Sequence, residues 1–397
     1  MLVLTTLPLI LAGAAAIDYA RIALANSELQ SALDAALLSA ARLPTSTADD
    51  TVRALAESEL DKRATRAWIN DPHISAFKRV AGTLSASATA DVPTTIMSLA
   101  GFRVIPVTAK SQVSVATGKL EIALVLDNSG SMRGTRLTNL VTATNSLLDI
   151  LESNIVKPGD VKVSIVPFDA VIKASTAYRN SPPAPWIDFT NADHESCTKW
   201  SCTTIKWSGC LVDRNQPYDT TDDNYLLKVS GKSVALYPAD ACPNGSDGLT
   251  TFLPITTDFS KLRAKVKNME AAGNTNITIG MAFGHAMLSP QGPITGAVAY
   301  GTENLQKIIV LMTDGENTAN RWTSRASSIN DRTKLACTDA KNDGIVVYVV
   351  NFIDGDSTLL RGCATNDNYF YKVSSVSELN EAFINIGDDI SKLRLSK

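Results

Sequence analysis

LVLDNSGSMRG, residues 124–134, begins as an uninterrupted apolar run, stops at Asp127 and gives way to Ser129, Gly130 and Ser131. With the residues before it, the run reads LEIALVLD (120–127), a strand apolar enough to be buried on both faces. Working outward, the same grammar repeats. Residues 137–151 have helical spacing, VKVSIVPF (161–168) is a second strand, and VIKA from Val171 returns antiparallel across a turn at Asp169–Ala170. KIIVLMTD (307–314) and GIVVYVV (344–350) are further strands, with helical segments at 259–269, 277–288, 324–341 and 376–386. Apolar strands alternating with helices predict a doubly wound, mostly parallel α/β sheet over residues 119–395. One stretch breaks the alternation. Residues 175–253 hold Pro182, Pro183, Pro185, Trp186, Trp200, Trp207 and four of the six cysteines, and read as an insertion stapled by disulfides.

In a sheet of this kind ligands bind at the carboxyl ends of the strands. Asp127, Ser129 and Ser131 stand at alternate positions at one such end, and Asp314 closes another strand in the same way. Thr275 follows Gly273 and precedes a helix; Thr278 is close by, and either could cap it. A cap for Asp127 and an Asp-Gly turn for Asp314 are the plain alternatives. Asp169, at the rim of the same face, reads as a solvated turn residue. Carboxylate and hydroxyl oxygens converging from three loops suit a hard cation, Mg²⁺ or Mn²⁺.

The rest of the composition excludes several classes. The formal net charge of −3 does not suggest a nucleic-acid surface. The three histidines, His73, His194 and His285, form no HExxH pair. No GxSxG elbow, P-loop or dinucleotide fingerprint is present, so neither catalysis nor a small-molecule substrate is expected. A metal-dependent hydrolase lacks an acid–base set here.

MLVLTTLPLILAGAAAI (1–17) is uncharged. As a helix it would reach about 25 Å, a little short of a bilayer core of about 30 Å. It is expected to be an uncleaved, single-pass anchor; a signal peptide is the alternative, given the small residues at 12–16. Residues 18–43 carry Leu29, Leu33, Ala36, Ala40 and Leu43 on one helical face, up to Pro44. A helical stretch at 50–68 and a β element at 80–115 make residues 44–118 a membrane-proximal subdomain. Six cysteines behind an export-like segment predict disulfides; six reduced cytosolic thiols are the alternative. A zinc knot from Cys197, Cys202, Cys210 and Cys242 lacks paired CxxC spacings. Cys197 is close to Cys202, and Cys337 and Cys363 flank a single strand, so each of these two pairs is expected to join.

The ordered set of DxSxS, a threonine loop and a strand-ending Asp-Gly resembles the metal-ion-dependent adhesion site (MIDAS) of von Willebrand factor type A (VWA) domains. That resemblance implies that Ser129, Ser131 and Thr275 touch the metal while Asp127 and Asp314 act mostly through water. A cation held by neutral hydroxyls stays poorly neutralised and attracts a partner's carboxylate. IDYARIALANSELQSALDAALLSAAR (17–42) resembles the amino-terminal helix of TadE/TadG-like proteins of bacterial Flp (tight adherence) pilus assembly. WSGCLVDR (207–214) and ELNEAFINIGDDISKLRL (378–395) look like TadG-type sequences too. The cytoplasmic residues that usually precede the apolar segment in that family are not in the sequence. The resemblance around WSGC implies a Cys210–Cys242 pair. It also implies an inner-membrane pilus-assembly component with its VWA domain in the periplasm and other assembly components as partners. A cell-surface adhesin is the alternative.

Overall fold

The computed structural model describes residues 2–395 apart from positions 42, 44–46, 66–67, 81–82, 115–117, 181, 198–200, 244–245 and 295, with the side chains of 1–15, 100, 114, 196 and 392–395 also outside the description. The chain divides into two compact units, Met1–Thr117 and Gly118–Lys397.

In the first unit α1 (Leu2–Ala40) is one uninterrupted helix. Ala25, Leu29, Leu33, Ala36 and Ala40 are buried along one stripe, and Leu43 packs against the same cluster just beyond the helix end. α2 (Asp49–Arg63) buries Val52, Ala56 and Leu60, with two acids in its first turn and two bases in its last, as the helix dipole favours. Both helices pack on an antiparallel sheet of β1 (Asn70–Val80), β2 (Thr83–Pro93) and β3 (Val104–Ser114), in that order. β2 alternates, burying Leu84, Ala86, Ala88, Ala90 and Val92. The β element starts at Asn70 rather than at 80, because the edge strand β1 buries only Ile74 and so has almost no period to read. Asp18 is buried, and its carboxylate accepts the backbone N–H groups of Thr95, Ile96 and Met97 at 3.0, 2.8 and 2.9 Å. Among the described residues no helix is long and apolar enough to cross a membrane. Side chains 1–15 of the expected anchor lie outside that description.

The second unit is built on β4 (Lys119–Asp127). α3 (Thr135–Ser153) leads to β5 (Val161–Phe168), and β6 (Ile172–Lys173) turns back antiparallel, as expected. The insertion contributes short pieces: β7 (Ile187–Asp188), β8 (His194–Cys197), β9 (Cys202–Ile205), β10 (Cys210–Leu211), β11 (Lys228–Val229), β12 (Lys232–Ser233) and β13 (Tyr237–Pro238). Then come β14 (Leu253–Thr256), α4 (Phe259–Lys267), α5 (Ile277–Leu288), β15 (Leu305–Thr313), α6 (Ala326–Asn342), β16 (Val346–Phe352), α7 (Ser357–Cys363), β17 (Phe370–Val373) and α8 (Val376–Leu395). The main sheet runs β10-β6-β5-β4-β15-β16-β17, with β14 also on β5. β5, β4, β15, β16 and β17 are mutually parallel.

The strands are apolar throughout because both faces are covered. Ile122, Leu124 and Leu126 of β4 face α3, α4 and α8, while Ala123 and Val125 face α5 and α6. The insertion is more than a stapled loop. β10 joins the sheet edge, and Trp186, Tyr237 and Phe252 enter the core, Tyr237 and Phe252 standing 5.2 and 4.9 Å from the Phe283 ring. The six cysteines form three disulfides, Cys197–Cys202, Cys210–Cys242 and Cys337–Cys363.

Candidate metal centre

The register of the parallel strands builds the site. β4 and β5 pair Asp127 with Phe168, and β4 and β15 pair Leu126 with Met312. Asp127, Asp169 and Asp314 therefore leave three neighbouring strand ends at nearly one level. The loop after β4 is tied to the loop before α5. Asn128 O accepts Ala272 N at 2.8 Å, its Nδ2 donates to Glu270 O at 3.0 Å, and Gly130 N donates to Gly273 O at 3.0 Å. These bonds bring the residues around Thr275 to the serines.

Asp127 is wholly buried. Its Oδ1 accepts Ser129 N at 2.7 Å and its Oδ2 accepts the Thr313 hydroxyl. Ser129 Oγ and Ser131 Oγ are 3.0 Å apart, and Ser131 Oγ donates to Asp314 Oδ1 at 2.6 Å. Thr275 N donates to Thr318 Oγ1 at 2.7 Å. Gly315 lines the remaining side: a Cβ there would stand 3.6 Å from Ser131 Oγ and 3.7 Å from Thr275 Oγ1. The five residues singled out in the sequence thus share one cradle. Thr278 lies apart, its hydroxyl 2.8 Å from Thr333 Oγ1 on α6. Neither threonine caps α5; Asn276 does, accepting Ile279 N.

Burial pushes the Asp127 carboxyl up to about 6; bonds from Ser129 and Thr313 oppose the rise and the Asp314 charge adds to it. Asp314 is equally buried and is met by Arg136, whose Nη1 is 2.6 Å from Oδ2 and whose Nη2 reaches Asp354 at 3.2 Å. Two buried carboxylates against one guanidinium leave negative charge uncompensated. Two carboxylates and three hydroxyls are hard oxygen donors, and the set fits a divalent cation.

Asp169 departs from its reading as a solvated turn residue. It is fully buried: Oδ2 accepts Ser246 Oγ at 2.6 Å, Oδ1 accepts Val171 N at 2.9 Å, and burial pushes it up to about 7. The insertion, through Ser246, covers it, and nothing local in VPFDAV signals that. Asp213 of the insertion is also buried and accepts both contacts of Asn276 Nδ2, at 3.0 Å each. Arg136 and Asp213 escaped the sequence reading; Asp169 was placed at the rim of the face by its position after a strand end, like Asp127 and Asp314, but its burial was not foreseen.

Residues 245–384 match the model of the von Willebrand factor type A domain, and residues 1–43 match that of the putative Flp pilus-assembly TadE/G-like family. No curated protein sequence matches the chain significantly. Among solved structures it is similar to the pilus adhesin SpaC of Lactobacillus rhamnosus GG in its open conformation (14% identity, 82% of this chain and 34% of that one, TM-score 0.40). It is similar also to the vWF domain of the type V pili tip protein Mfa5 of Porphyromonas gingivalis (13%, 70% and 97%, 0.41). A third is proximal thread matrix protein 1 of the mussel byssus with a zinc-occupied MIDAS motif (15%, 71% and 47%, 0.37). The chain spans about a third of the length of SpaC. The chain carries a von Willebrand factor type A domain and, at its amino terminus, a TadE/G-like Flp pilus-assembly region.

Proposed function

We propose that this protein is a membrane-anchored component of Flp (tight adherence) pilus assembly whose VWA domain faces the periplasm and grips a partner through a divalent cation. The observation that carries the reading is the convergence of Asp127, Ser129, Ser131, Thr275 and Asp314 on one cradle beside Gly315. These residues would hold Mg²⁺ or Mn²⁺, and the bound ion supplies an electrophilic contact for a carboxylate on another assembly protein. The chain's own part is to fix the donors. Thr313 and the Ser129 amide orient Asp127, Ser131 donates a hydrogen bond to Asp314, and the 270–275 loop carries Thr275 against both. The function is binding, with no bond made or broken. The TadE/G-like match over 1–43 and the uncharged residues 1–17 support anchoring through the start of α1.

Calorimetric titration of Mg²⁺ tests the site. Wild type should bind, Asp127→Ala should not, and Ser129→Ala should bind more weakly with an unchanged circular dichroism spectrum; equal binding by all three rejects the centre. A photo-crosslinker at exposed Arg133 should capture a pilus-assembly protein in intact cells, and only while Asp127 is present.

A further inference from the structure

A second cluster of metal-ligating side chains lies on the same domain, away from the first. His285 sits eight residues beyond the start of α5, about 12 Å along the helix axis. Three carboxylates from two segments surround it. Asp343 Oδ2 is 2.9 Å and Asp222 Oδ2 is 4.0 Å from Nε2, and Asp339 Oδ2 is 3.5 Å from Nδ1. One ligand atom from each of the four residues lies within 4.8 Å of all the others. Asp222 comes from the insertion, Asp339 from the last turns of α6, and Asp343 from its C-cap.

Two features mark the cluster as more than a chance grouping of acids. The His285 ring is fully buried, and its Nδ1 finds no hydrogen-bond partner among the described residues. A buried ring nitrogen that makes no hydrogen bond, with a carboxylate oxygen 3.5 Å away, is costly. Moreover, Asp339 and Asp343 stand at the carboxyl end of α6, where the helix dipole disfavours negative charge. The neighbouring groups do not compensate. Tyr300 OH donates to Asp222 Oδ2 at 2.9 Å and lies 3.0 Å from His285 Nε2, and Ser289 Oγ donates to the same Asp222 oxygen at 2.5 Å. Lys307, whose Nζ is 5.3 Å from the Tyr300 ring centre, is committed to Glu121 at 2.6 Å. Burial pushes the Asp339 carboxyl up; His285 opposes this, and Asp222, Asp343 and Asp223 add to it. Three carboxylates exceed the single charge that a protonated imidazole could supply.

We propose that His285, Asp222, Asp339 and Asp343 form a second cation site, which takes a divalent transition metal of the zinc type and ties the insertion to α5 and α6. An imidazole nitrogen beside carboxylate oxygens is a donor set for zinc rather than for Mg²⁺, which takes oxygen ligands. The test uses the full-length protein, stripped with chelator and titrated with Zn²⁺ alone in the presence of excess Mg²⁺, with Co²⁺ as a spectroscopic stand-in. Wild type should bind one Zn²⁺ that Asp339→Asn and Asp343→Asn bind at least about tenfold more weakly. The visible Co²⁺ band should be lost in His285→Gln and kept in Asp127→Ala. Both aspartates are partly exposed, so their variants decide the matter if His285→Gln fails to fold. The site is overturned if wild type binds no Zn²⁺ under these conditions. It is equally overturned if folded Asp339→Asn and Asp343→Asn bind as tightly as wild type, which would assign the metal to other histidines.

Discussion

Arg136 holds Asp314 at 2.6 Å from a side chain about one-third exposed. It is a positive charge fixed beside the proposed cation site. Its removal should free the carboxylate and relieve repulsion, and for a partly exposed pair the effect is modest, about 1 kcal/mol. Arg136→Gln is therefore expected to bind Mg²⁺ several-fold more tightly in calorimetry; weaker binding would show that the guanidinium is needed to aim Asp314. Gly273 is constrained differently. Its φ is +73°, and a Cβ there would come within 2.3 Å of Asp169 Oδ2 and 2.7 Å of Ser246 Oγ. Left-handed backbone alone costs a non-glycine residue about 1–2 kcal/mol, and the clash adds to that. Gly273→Ala should lose at least that much stability in denaturant unfolding. It should also weaken Mg²⁺ binding, because Gly273 O anchors Gly130 N.

Among the elements, α6 and α7 are joined by Cys337–Cys363, both buried, with Cα atoms 5.0 Å apart. The bond closes a 26-residue separation around β16, for which the chain-entropy relation gives about 3.5 kcal/mol. Cys337→Ser should lower the melting temperature by several degrees or more, and adding Cys363→Ser should cost little further, since the crosslink is already gone. A second drop as large as the first would assign the stability to packing of the thiols rather than to the crosslink. Helices α3 to α6 were legible because their apolar periods are long. α7, with seven residues, and β17, with four, were not, since so short a run carries too little pattern to separate from a loop.

For the whole molecule, buried carboxylates set the pH response. Burial raises Asp169 to about 7 and Asp213 to about 6, above the roughly 3.9 of an unfolded aspartate. A raised carboxyl binds its proton more tightly in the folded state. Its contribution is therefore fully present below the unfolded value and lost as pH rises through the folded one. Metal-free protein should lose stability as pH rises from about 4 to about 7. Asp258, which its hydrogen bond from Ser260 holds at about 2, opposes this only in acid, below the window. Asp169→Asn, which imitates the protonated acid toward Val171 and Ser246, should match wild type near pH 4 and exceed it near pH 8 in thermal unfolding. A variant less stable than wild type at both pH values would contradict the assignment.

The local pattern by itself determined the α/β class, the strands β4, β5, β15 and β16, and the oxygen-bearing Asp127, Ser129, Ser131 and Asp314 after β4 and β15, whereas Thr275, in the loop before α5, was read through the resemblance. A strand buried on both faces must be apolar along its length, and a polar residue closing it stands out. The three cysteine pairs in the structure are the expected ones, Cys210–Cys242 having been implied by the resemblance around WSGC and not by spacing. Only the tertiary structure decided what covers those ends. Asp169 became buried because Ser246, 77 residues away, closes over it, and Arg136 met Asp314 because α3 starts beside the end of β15. The acids around His285 come from the insertion and from α6, and no spacing in the sequence announces that they share one imidazole's surroundings. Contacts between residues far apart in the chain follow from packing, and packing leaves no periodic trace in the residues it brings together.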